Sequence, residues 1–365
     1  MVIVVLGSLL VLYGLMLLVV NWYWRKIPVE SRPEASISDL TLVIPFRNEQ
    51  EKIEQLMEQL GALDPKLKII MVDDHSTDNG VAEITLARLP NLQLLALTDK
   101  EGKKAAVTLG IEKSSTSNVM VTDADCWIDK SWPQYMSAGL SEYDLVYGPV
   151  RFESANTLFA RMQSYELTIL QVFSAATWAM GWPTMCNGAN LGYKTSVFDA
   201  VGGFRNHLHV ASGDDELLMH ELLGAGATIG YSKPPVPLIK TSTENSVHSF
   251  INQRRRWSGK WKYYTHMPSR LLAVLIILFN AGFLAALFGF FAGYITPIEA
   301  ITLFLIKGIF EYIFILGFGS YFRLEVKGLP FILLVFIYPF YVVFFGIVSH
   351  FGSYNWKGRV IAHGG

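Results

Sequence analysis

Two carboxylates separated by one residue follow an apolar run near the middle of the chain. Asp123 and Asp125 come directly after the segment NVMVT. Two carboxylates in this position can hold Mg²⁺ or Mn²⁺, because these cations prefer oxygen ligands and complete their coordination with phosphate oxygens. Asp is also common in the turn that follows a strand. Taken alone, the pair predicts either a turn or a metal site.

A second acidic cluster, Asp214-Asp215-Glu216, precedes the helical segment LLMHELLGAG. Acidic residues at the start of a helix interact favourably with the helix dipole, which explains carboxylates here without any function. Three in a row repel one another, however, and crowding raises the pKa of a carboxylate, as suits a general base. The cluster therefore predicts either a helix cap or a catalytic base.

The sequence QRRRW, residues 253–257, leads into SGKWKYY. On a helix, Gln253, Arg256 and Trp257 share one face, while Arg254 and Arg255 point elsewhere. A guanidinium can bind a diphosphate through two hydrogen bonds, and a Trp ring can stack on a sugar. The alternative is a helix at a membrane surface, where Arg and Trp are both common.

Two weaker signals lie in VDDHSTDNG and in Gly102-Lys103-Lys104. Asp73 and Asp74 could hydrogen-bond a nucleotide's base or ribose, or could simply precede a capped helix. A lysine beside the backbone amides of a helix start is an anion site. Basic residues at helix starts are common, so this signal is weak.

The elements that position these residues alternate in type. Apolar runs at 41–46, 68–74, 92–97 and 118–125 predict buried strands, and amphipathic segments such as 49–60 and 80–89 predict helices between them. This alternation predicts βαβ units and a mostly parallel sheet covered on both faces. Ligands of such sheets bind beyond the carboxyl ends of the strands, where the acidic residues occur.

Composition places part of the chain in a membrane. Of 365 residues, 51% are hydrophobic and 17% charged, and the net charge is -1. Low net charge with high hydrophobicity excludes a disordered chain, and the missing basic excess excludes a nucleic-acid binder. The two cysteines cannot form a disulfide framework. Since 53 of the 61 charged residues lie between 25 and 270, that part has the charge content of a soluble domain.

The uncharged segment 2–20 is long enough to cross a bilayer. Arg25 and Lys26 follow it, after the cluster Trp22, Tyr23 and Trp24, so positive-inside bias predicts an anchor with the next domain in the cytoplasm. Residues 271–295 and 329–348 predict two further spans. Residues 300–322 contain Lys307 and Glu311, whose four-residue spacing lets them pair. This segment predicts a third C-terminal span, with a re-entrant or interfacial helix as the alternative. The side of the membrane on which the C-terminal tail lies is left open.

Taken in order, the motifs resemble the membrane-bound family 2 glycosyltransferases. They are VIPFRNE (43–49), VDDHSTD, GKKAA, VTDAD, CNGANLGY (186–193), SGDDELL, QRRRW and a late WKGR (356–359). The resemblance implies an α/β fold: a GT-A (Rossmann-like) domain with a mostly parallel sheet, one N-terminal and about three C-terminal transmembrane helices. The expected divisions are an anchor at 1–24, a glycosyltransferase domain at 25–245, an interface helix at 246–270, a transmembrane region at 271–350 and a tail at 351–365.

The resemblance also implies roles for the matching residues. Asp215 would be the catalytic base, although Asp214 stands beside it where the family more often has a glutamate. Asp123 and Asp125 would bind the metal ion, Mg²⁺ or Mn²⁺, together with the nucleotide sugar. The other donor-binding residues would be Pro45, Arg47, Glu49, Asp73, Lys103, Gln253, Arg256 and Trp257. Asn187, Gly188 and Trp257 would lie on the acceptor side.

The implied chemistry is a single displacement with inversion, from a nucleotide-diphosphate sugar to an acceptor hydroxyl. We expect a UDP sugar, a lipid or glycan acceptor and a site at the cytoplasmic face of the cell membrane, with no nucleic-acid partner. Four or fewer spans favour a lipid or lipid-linked acceptor. A processive polysaccharide synthase is one alternative. A non-catalytic membrane assembly partner with a nucleotide-sugar-binding domain is another, and an oligomer or a secretion partner is left open.

Overall fold

The computed structural model describes residues 2–153, 156–210, 212–348, 353–356 and 359–362. Its strands are β1 (Leu40–Phe46), β2 (Lys68–Asp73), β3 (Leu92–Ala96), β4 (Asn118–Val121), β5 (Trp127–Ile128), β6 (Leu145–Tyr147), β7 (Val150–Phe152), β8 (Leu191–Lys194), β9 (Ile229–Tyr231), β10 (Ile239–Thr241), β11 (Ser353–Trp356) and β12 (Arg359–Ala362). Seven of them form one sheet in the order β3-β2-β1-β4-β8-β6-β9. A smaller sheet, β5-β10-β7, and the hairpin β11-β12 lie beside it.

The large sheet is mostly parallel, as predicted. β1 pairs in parallel with β2 and β4, and β2 pairs in parallel with β3. β8 is the exception, because it is antiparallel to both β4 and β6. The four apolar runs of the sequence form β1 to β4. All seven residues of β1 are buried, as expected for a strand covered on both faces.

The helices of the described residues include two short ones and four that exceed twenty residues. They are α1 (Val2–Lys26), α2 (Gln50–Gly61), α3 (Gly80–Ala87), α4 (Lys103–Lys113), α5 (Trp132–Glu142), α6 (Leu158–Ala179), α7 (Thr195–Ala200), α8 (Glu216–Gly224), α9 (Val247–Ser258), α10 (Met267–Phe291), α11 (Pro297–Leu316), α12 (Gly319–Phe322) and α13 (Gly328–Val348). The predicted helices at 49–60 and 80–89 are α2 and α3.

Alternate residues of β1 pack into different hydrophobic cores. Val43 belongs to a core that includes residues of α4, α6 and α8. Leu42 and Ile44 belong to a second core, formed with α2 and α5. Because successive side chains of a strand point to opposite faces, the two cores lie on the two sides of the sheet.

Among the described residues, three helices are long and apolar enough to cross a membrane: α1, α10 and α13. The segment predicted as a further span forms α11, which carries Glu299, Lys307 and Glu311 and is not one of the three. The predicted pair exists, since Lys307 Nζ lies 2.6 Å from Glu311 Oε1. Whether α11 crosses a bilayer stays a prediction.

Helix α1, the predicted anchor, packs against the rest of the protein. Trp22 is exposed, as expected of an interfacial residue, but Trp24 is only 2% exposed. The Trp24 ring lies against Tyr321 and Phe322. Protein therefore covers the Trp24 side chain, while Trp22 of the same cluster remains exposed.

Candidate active site

One cavity, about 370 Å³ in volume, lies at the edge of the sheet where β4 ends and β8 begins. The side chain of Thr122 joins the two strands at this edge by donating to the carbonyl of Ala189, at 2.8 Å. Ten of the residues singled out in the sequence line the cavity: Lys103, Asp123, Asp125, Asn187, Gly188, Asp214, Asp215, Gln253, Arg256 and Trp257. Residues from five separate motifs thus meet in one place.

Lys103 connects two of the acidic motifs. Its Nζ lies 2.8 Å from Asp123 Oδ1 and 2.8 Å from Asp214 Oδ2. The lysine is the first residue of α4, and Gly102 before it has a φ of 95°, which favours glycine. Burial alone would lower the pKa of Lys103, but Asp123 and Asp214 outweigh burial and raise this pKa. Lys103 is therefore a fixed positive charge between the acidic motifs.

Asp215 caps the start of α8, as the simpler interpretation of its cluster predicted. Its Oδ1 accepts from the Glu216 amide at 2.7 Å, and its Oδ2 accepts from the Gly188 amide at 3.2 Å. Lys260 Nζ lies 3.2 Å from the same Oδ1. Burial alone would raise the pKa of Asp215, but Lys260, the Glu216 amide and Lys103 outweigh it and lower this pKa to about 2.

The prediction that crowding raises the pKa of this carboxylate was wrong for Asp215. Each of the three neighbouring carboxylates has a cation beside it. Asp214 pairs with Lys103, and Asp215 and Glu216 pair with Lys260. For Glu216, burial prevails and raises the pKa. The Glu216 carboxylate also accepts a hydrogen bond from Tyr264.

Asp123, Asp125 and Cys126 each offer one ligand atom within 4.8 Å of the others. Burial, together with Asp125 and Asp123, raises the pKa of the Cys126 thiol well above its usual range. Thiolate sulfur is the ligand of softer metals, whereas hard cations prefer oxygen. The remaining donors are carboxylate oxygens, which fit Mg²⁺ or Mn²⁺ better than a softer metal.

The QRRRW motif lies on α9, where Gln253, Arg256 and Trp257 all line the cavity. Arg254 was expected to point elsewhere, but it lines the cavity too and is 2% exposed. Its Nη2 lies 2.7 Å from Glu166 Oε2, and its guanidinium lies 4.2 Å from the centre of a Trp257 ring. The Arg254 side chain turns towards α6 because a buried carboxylate there pairs with it.

Four predicted donor-binding residues lie near the same sheet edge but do not line the cavity. They are Pro45, Arg47, Glu49 and Asp73. Arg47 donates to the carbonyls of Asp74 and His75, at 2.6 and 2.7 Å. Asp73 accepts from the Ser76 amide at 3.0 Å. These bonds shape the loop after β2, and the role of the four residues in donor binding stays a prediction.

The C-terminal hairpin returns to this loop. Arg359 Nη1 lies 2.7 Å from Asp74 Oδ2, and Arg359 Nη2 lies 3.0 Å from Asp74 Oδ1. Asp74 Oδ1 also accepts from the Gly102 amide at 3.0 Å. The late WKGR motif thus contributes Arg359 to the sheet edge, while its Lys357 and Gly358 lie outside the described residues.

Sequence reasoning missed Lys260 and Glu166. Lys260 follows the QRRRW motif by three residues and resembles any lysine that flanks a membrane helix. Glu166 offered a better signal, because it is a single acid in the interior of a long, largely buried helix. A buried acid of this kind requires a partner, and that partner is Arg254.

Comparison with known proteins decides the nature of the domain. The Glycosyl transferase family 2 profile matches residues 41–202, which include β1 to β4, Lys103, Asp123 and Asp125. Residues 41–202 are a family 2 glycosyltransferase domain. The predicted resemblance to the family 2 glycosyltransferases is therefore confirmed for this part of the chain.

Curated relatives match part of the chain. Glycosyltransferase AglE of Haloferax volcanii is 28% identical over 185 residues, 48% of this chain and 58% of that protein. Poly-beta-1,6-N-acetyl-D-glucosamine synthase of Staphylococcus aureus is 28% identical over 151 residues, 39% of this chain and 36% of that protein. The chain thus spans less than two thirds of either relative.

A solved structure shares the fold over nearly the whole chain. It is a mannosyltransferase from Pyrobaculum calidifontis in complex with GDP-Man and Mn²⁺, with a TM-score of 0.60. The alignment covers 93% of this chain and 98% of that chain, at 16% sequence identity. The predicted GT-A fold of the glycosyltransferase domain is confirmed.

Proposed function

We propose that this protein is a membrane-bound, metal-dependent, inverting glycosyltransferase. It takes a sugar from a nucleotide-diphosphate sugar, for which we expect UDP, and transfers it to a hydroxyl of a lipid or glycan at the cytoplasmic face of the cell membrane. The observation that carries the proposal is the single cavity that contains Asp123, Asp125, Asp215 and the α9 residues Arg256 and Trp257. A metal site, a base and a diphosphate site within one cavity are what this transfer requires.

Asp215 is the base in this proposal, because its ionised carboxylate lines the cavity. As the acceptor oxygen forms its bond to the anomeric carbon, the bond from that carbon to the diphosphate oxygen breaks, and Asp215 takes the hydroxyl proton. The amides of Glu216 and Gly188 hold the Asp215 carboxylate in place. Asp214, whose Oδ2 pairs with Lys103, is the second candidate for the base.

The leaving diphosphate needs positive charge where its own negative charge develops. Asp123 and Asp125 would hold a divalent cation, which supplies Lewis-acid stabilisation of the diphosphate when it is bound. Arg256 supplies a guanidinium from α9, and the Trp257 ring offers a flat face to a sugar. Support comes also from the Pyrobaculum calidifontis neighbour, whose complex contains GDP-Man and Mn²⁺.

A processive polysaccharide synthase is the second candidate. The Staphylococcus aureus relative that makes poly-beta-1,6-N-acetyl-D-glucosamine favours it. The two candidates differ in their products, because a single transfer adds one sugar and a synthase makes a ladder of lengths. Mass spectrometry of the products separates them.

The test is a panel of nucleotide sugars with Mg²⁺ or Mn²⁺ and the full-length protein. We expect metal-dependent release of a nucleoside diphosphate from one donor, and its loss in Asp125→Asn and Asp215→Asn. Removal of a general base alone costs about 10² to 10⁴ in rate. Asp99→Asn, at an exposed position outside the cavity, is the matched control. A wild-type protein that releases nucleoside diphosphate from no donor would favour the non-catalytic assembly partner instead.

A further inference from the structure

The active-site cavity has a second, apolar end. From Asp215 and Glu216 it continues past Tyr264 and Ser269 and reaches the space between α10 and α13. The apolar end is lined by Leu272, Ala273, Ile276, Ile277, Phe345 and Gly346. Because both helices are long and apolar enough to cross a membrane, this end of the cavity reaches between two membrane-type helices.

The opposite faces of the same helices are suited to hydrocarbon. On α10, Val274 is 43% exposed and Leu278 is 55% exposed, although neither lines the cavity. On α13, Phe340 and Phe344 are exposed by about half. Each helix therefore has one apolar face towards the surroundings and another towards the cavity. The apolar end of the cavity therefore lies between two helices whose outer faces suit the hydrocarbon of a bilayer.

Ion pairs form the wall between the apolar end and the base. Glu216 and Glu166 line it, with the buried cations Lys260 and Arg254. Lys260 is already paired with Asp215 and Glu216, and Arg254 is paired with Glu166. Neither cation is free to neutralise an anionic headgroup, which would lie beside carboxylates, and like charges in a buried site repel strongly. An uncharged hydroxyl carries no such penalty.

We propose that the acceptor is a neutral amphiphile. Its hydroxyl lies at Asp215, its uncharged headgroup lies along the wall formed by Glu216 and Tyr264, and its hydrocarbon chain lies between α10 and α13. This inference rests on the proposed glycosyltransferase activity and narrows its acceptor. The bond that forms joins the acceptor oxygen to the anomeric carbon, and the nucleoside diphosphate leaves.

The acceptor class is tested with the donor identified by the panel above. Three acceptors are compared with full-length protein in mixed micelles: diacylglycerol as the neutral amphiphile, a polyprenyl phosphate as the anionic one, and a soluble oligosaccharide. We expect transfer to diacylglycerol to exceed transfer to either of the other two by at least about tenfold. A tenfold difference corresponds to about one favourable buried contact. Preferred transfer to the polyprenyl phosphate or to the oligosaccharide would overturn the inference.

The position of the chain is tested with a matched pair of variants. Ala273→Phe fills the cavity between α10 and α13, whereas Val274→Phe adds the same ring to the outer face of α10. We expect Ala273→Phe to raise the KM for the amphiphile by about tenfold or more and Val274→Phe to leave it as in wild type. Equal KM values in all three proteins would refute the assigned chain position.

Two controls keep the inference separate from the activity on which it rests. Binding of the nucleotide sugar, measured by calorimetry, shows whether Ala273→Phe is folded. If Ala273→Phe does not fold, Gly346→Leu blocks the same space from α13. If the wild-type protein turns over no donor, the glycosyltransferase proposal itself fails. If the donor is turned over and a charged or soluble acceptor is preferred, only the acceptor inference fails.

Discussion

Lys260 Nζ lies 3.2 Å from Asp215 Oδ1 and 3.2 Å from Glu216 Oε2, in a part of the cavity that is largely closed to water. Lys260 therefore keeps the proposed base ionised, and the pKa of Asp215 falls to about 2. Because the folded-state pKa lies below the ordinary value of 3.8, ionised Asp215 stabilises the fold above about pH 4. That stabilisation is lost as pH falls towards about 2.

Lys260→Met should raise the pKa of Asp215, because burial then acts without its strongest counter-charge. We expect the acid limb of the pH–rate profile to move upwards by about one to two pH units. The variant should also lose about 2 kcal/mol of stability at neutral pH, from the lost depression of the Asp215 pKa.

Lys262→Met is the control for this variant, because Lys262 lies two residues further on and stacks over the Tyr263 ring. The measurements are the pH dependence of transfer and the thermal unfolding midpoint between pH 3 and pH 7. Identical acid limbs in Lys260→Met and Lys262→Met would show that Lys260 does not set the ionisation of the base.

Gly188→Ala should disturb the bridge made by Lys103. A Cβ at residue 188 would lie 3.0 Å from Asp214 Oδ2 and 3.1 Å from Lys103 Nζ, so one of the two has to move. We expect kcat/KM to fall by about tenfold to a hundredfold, because small displacements of active-site groups have effects of this size. Gly224→Ala is the control, since its Cβ meets nothing within 4 Å. Equal kinetics in the two variants would contradict the tight fit at Gly188.

Arg254→Met should be strongly destabilising, because it leaves Glu166 buried without its cation. Loss of one partner of a buried pair costs about 3 to 5 kcal/mol. Replacing both residues, as Glu166→Leu with Arg254→Met, should recover much of this loss. Thermal unfolding of the two single variants and the double variant measures the effect. A double variant that is less stable than either single variant would contradict the conclusion that the cost of Arg254→Met comes from the unpaired Glu166 carboxylate.

Arg359 and Asp74 should be coupled in stability. Their bidentate pair joins the C-terminal hairpin to the loop after β2, and the Asp74 side chain is 3% exposed. A double-mutant cycle with Asp74→Asn and Arg359→Gln should give a coupling energy of about 1 to 3 kcal/mol. The coupling energy is obtained from the free energies of unfolding of the wild type, the two single variants and the double variant. Additive effects would mean that the hairpin does not rest on Asp74 in solution.

Sequence reasoning located the strands and the acidic edge because both depend on local pattern. The runs that became β1 to β4 are apolar and bounded by turn residues, and parallel strands bring Asp123 and Asp125 to the edge where ligands bind. The start of α4 at Lys103 and the cap of α8 at Asp215 are also local features. Local signals of this kind need no knowledge of the tertiary contacts.

The errors came from contacts between distant parts of the chain. The prediction for Asp215 considered its acidic neighbours, but the group that controls its pKa is Lys260, 45 residues further on. The prediction for Arg254 considered one helix alone, whereas Glu166 of α6 draws the side chain inwards. Helix periodicity shows which residues share a face, but not which faces of that helix the rest of the fold covers.

The packing of α1 determines how the protein can be prepared. Lys233 of the domain donates to the backbone carbonyls of Trp24 and Ile27, at 2.9 and 3.0 Å, and Glu30 accepts from the Lys233 amide. A fragment that begins at Ile27 would lose the Trp24 acceptor and expose the side of α6 that α1 covers. Because that side contributes to the hydrophobic core, the form to purify is the whole chain rather than a fragment without α1.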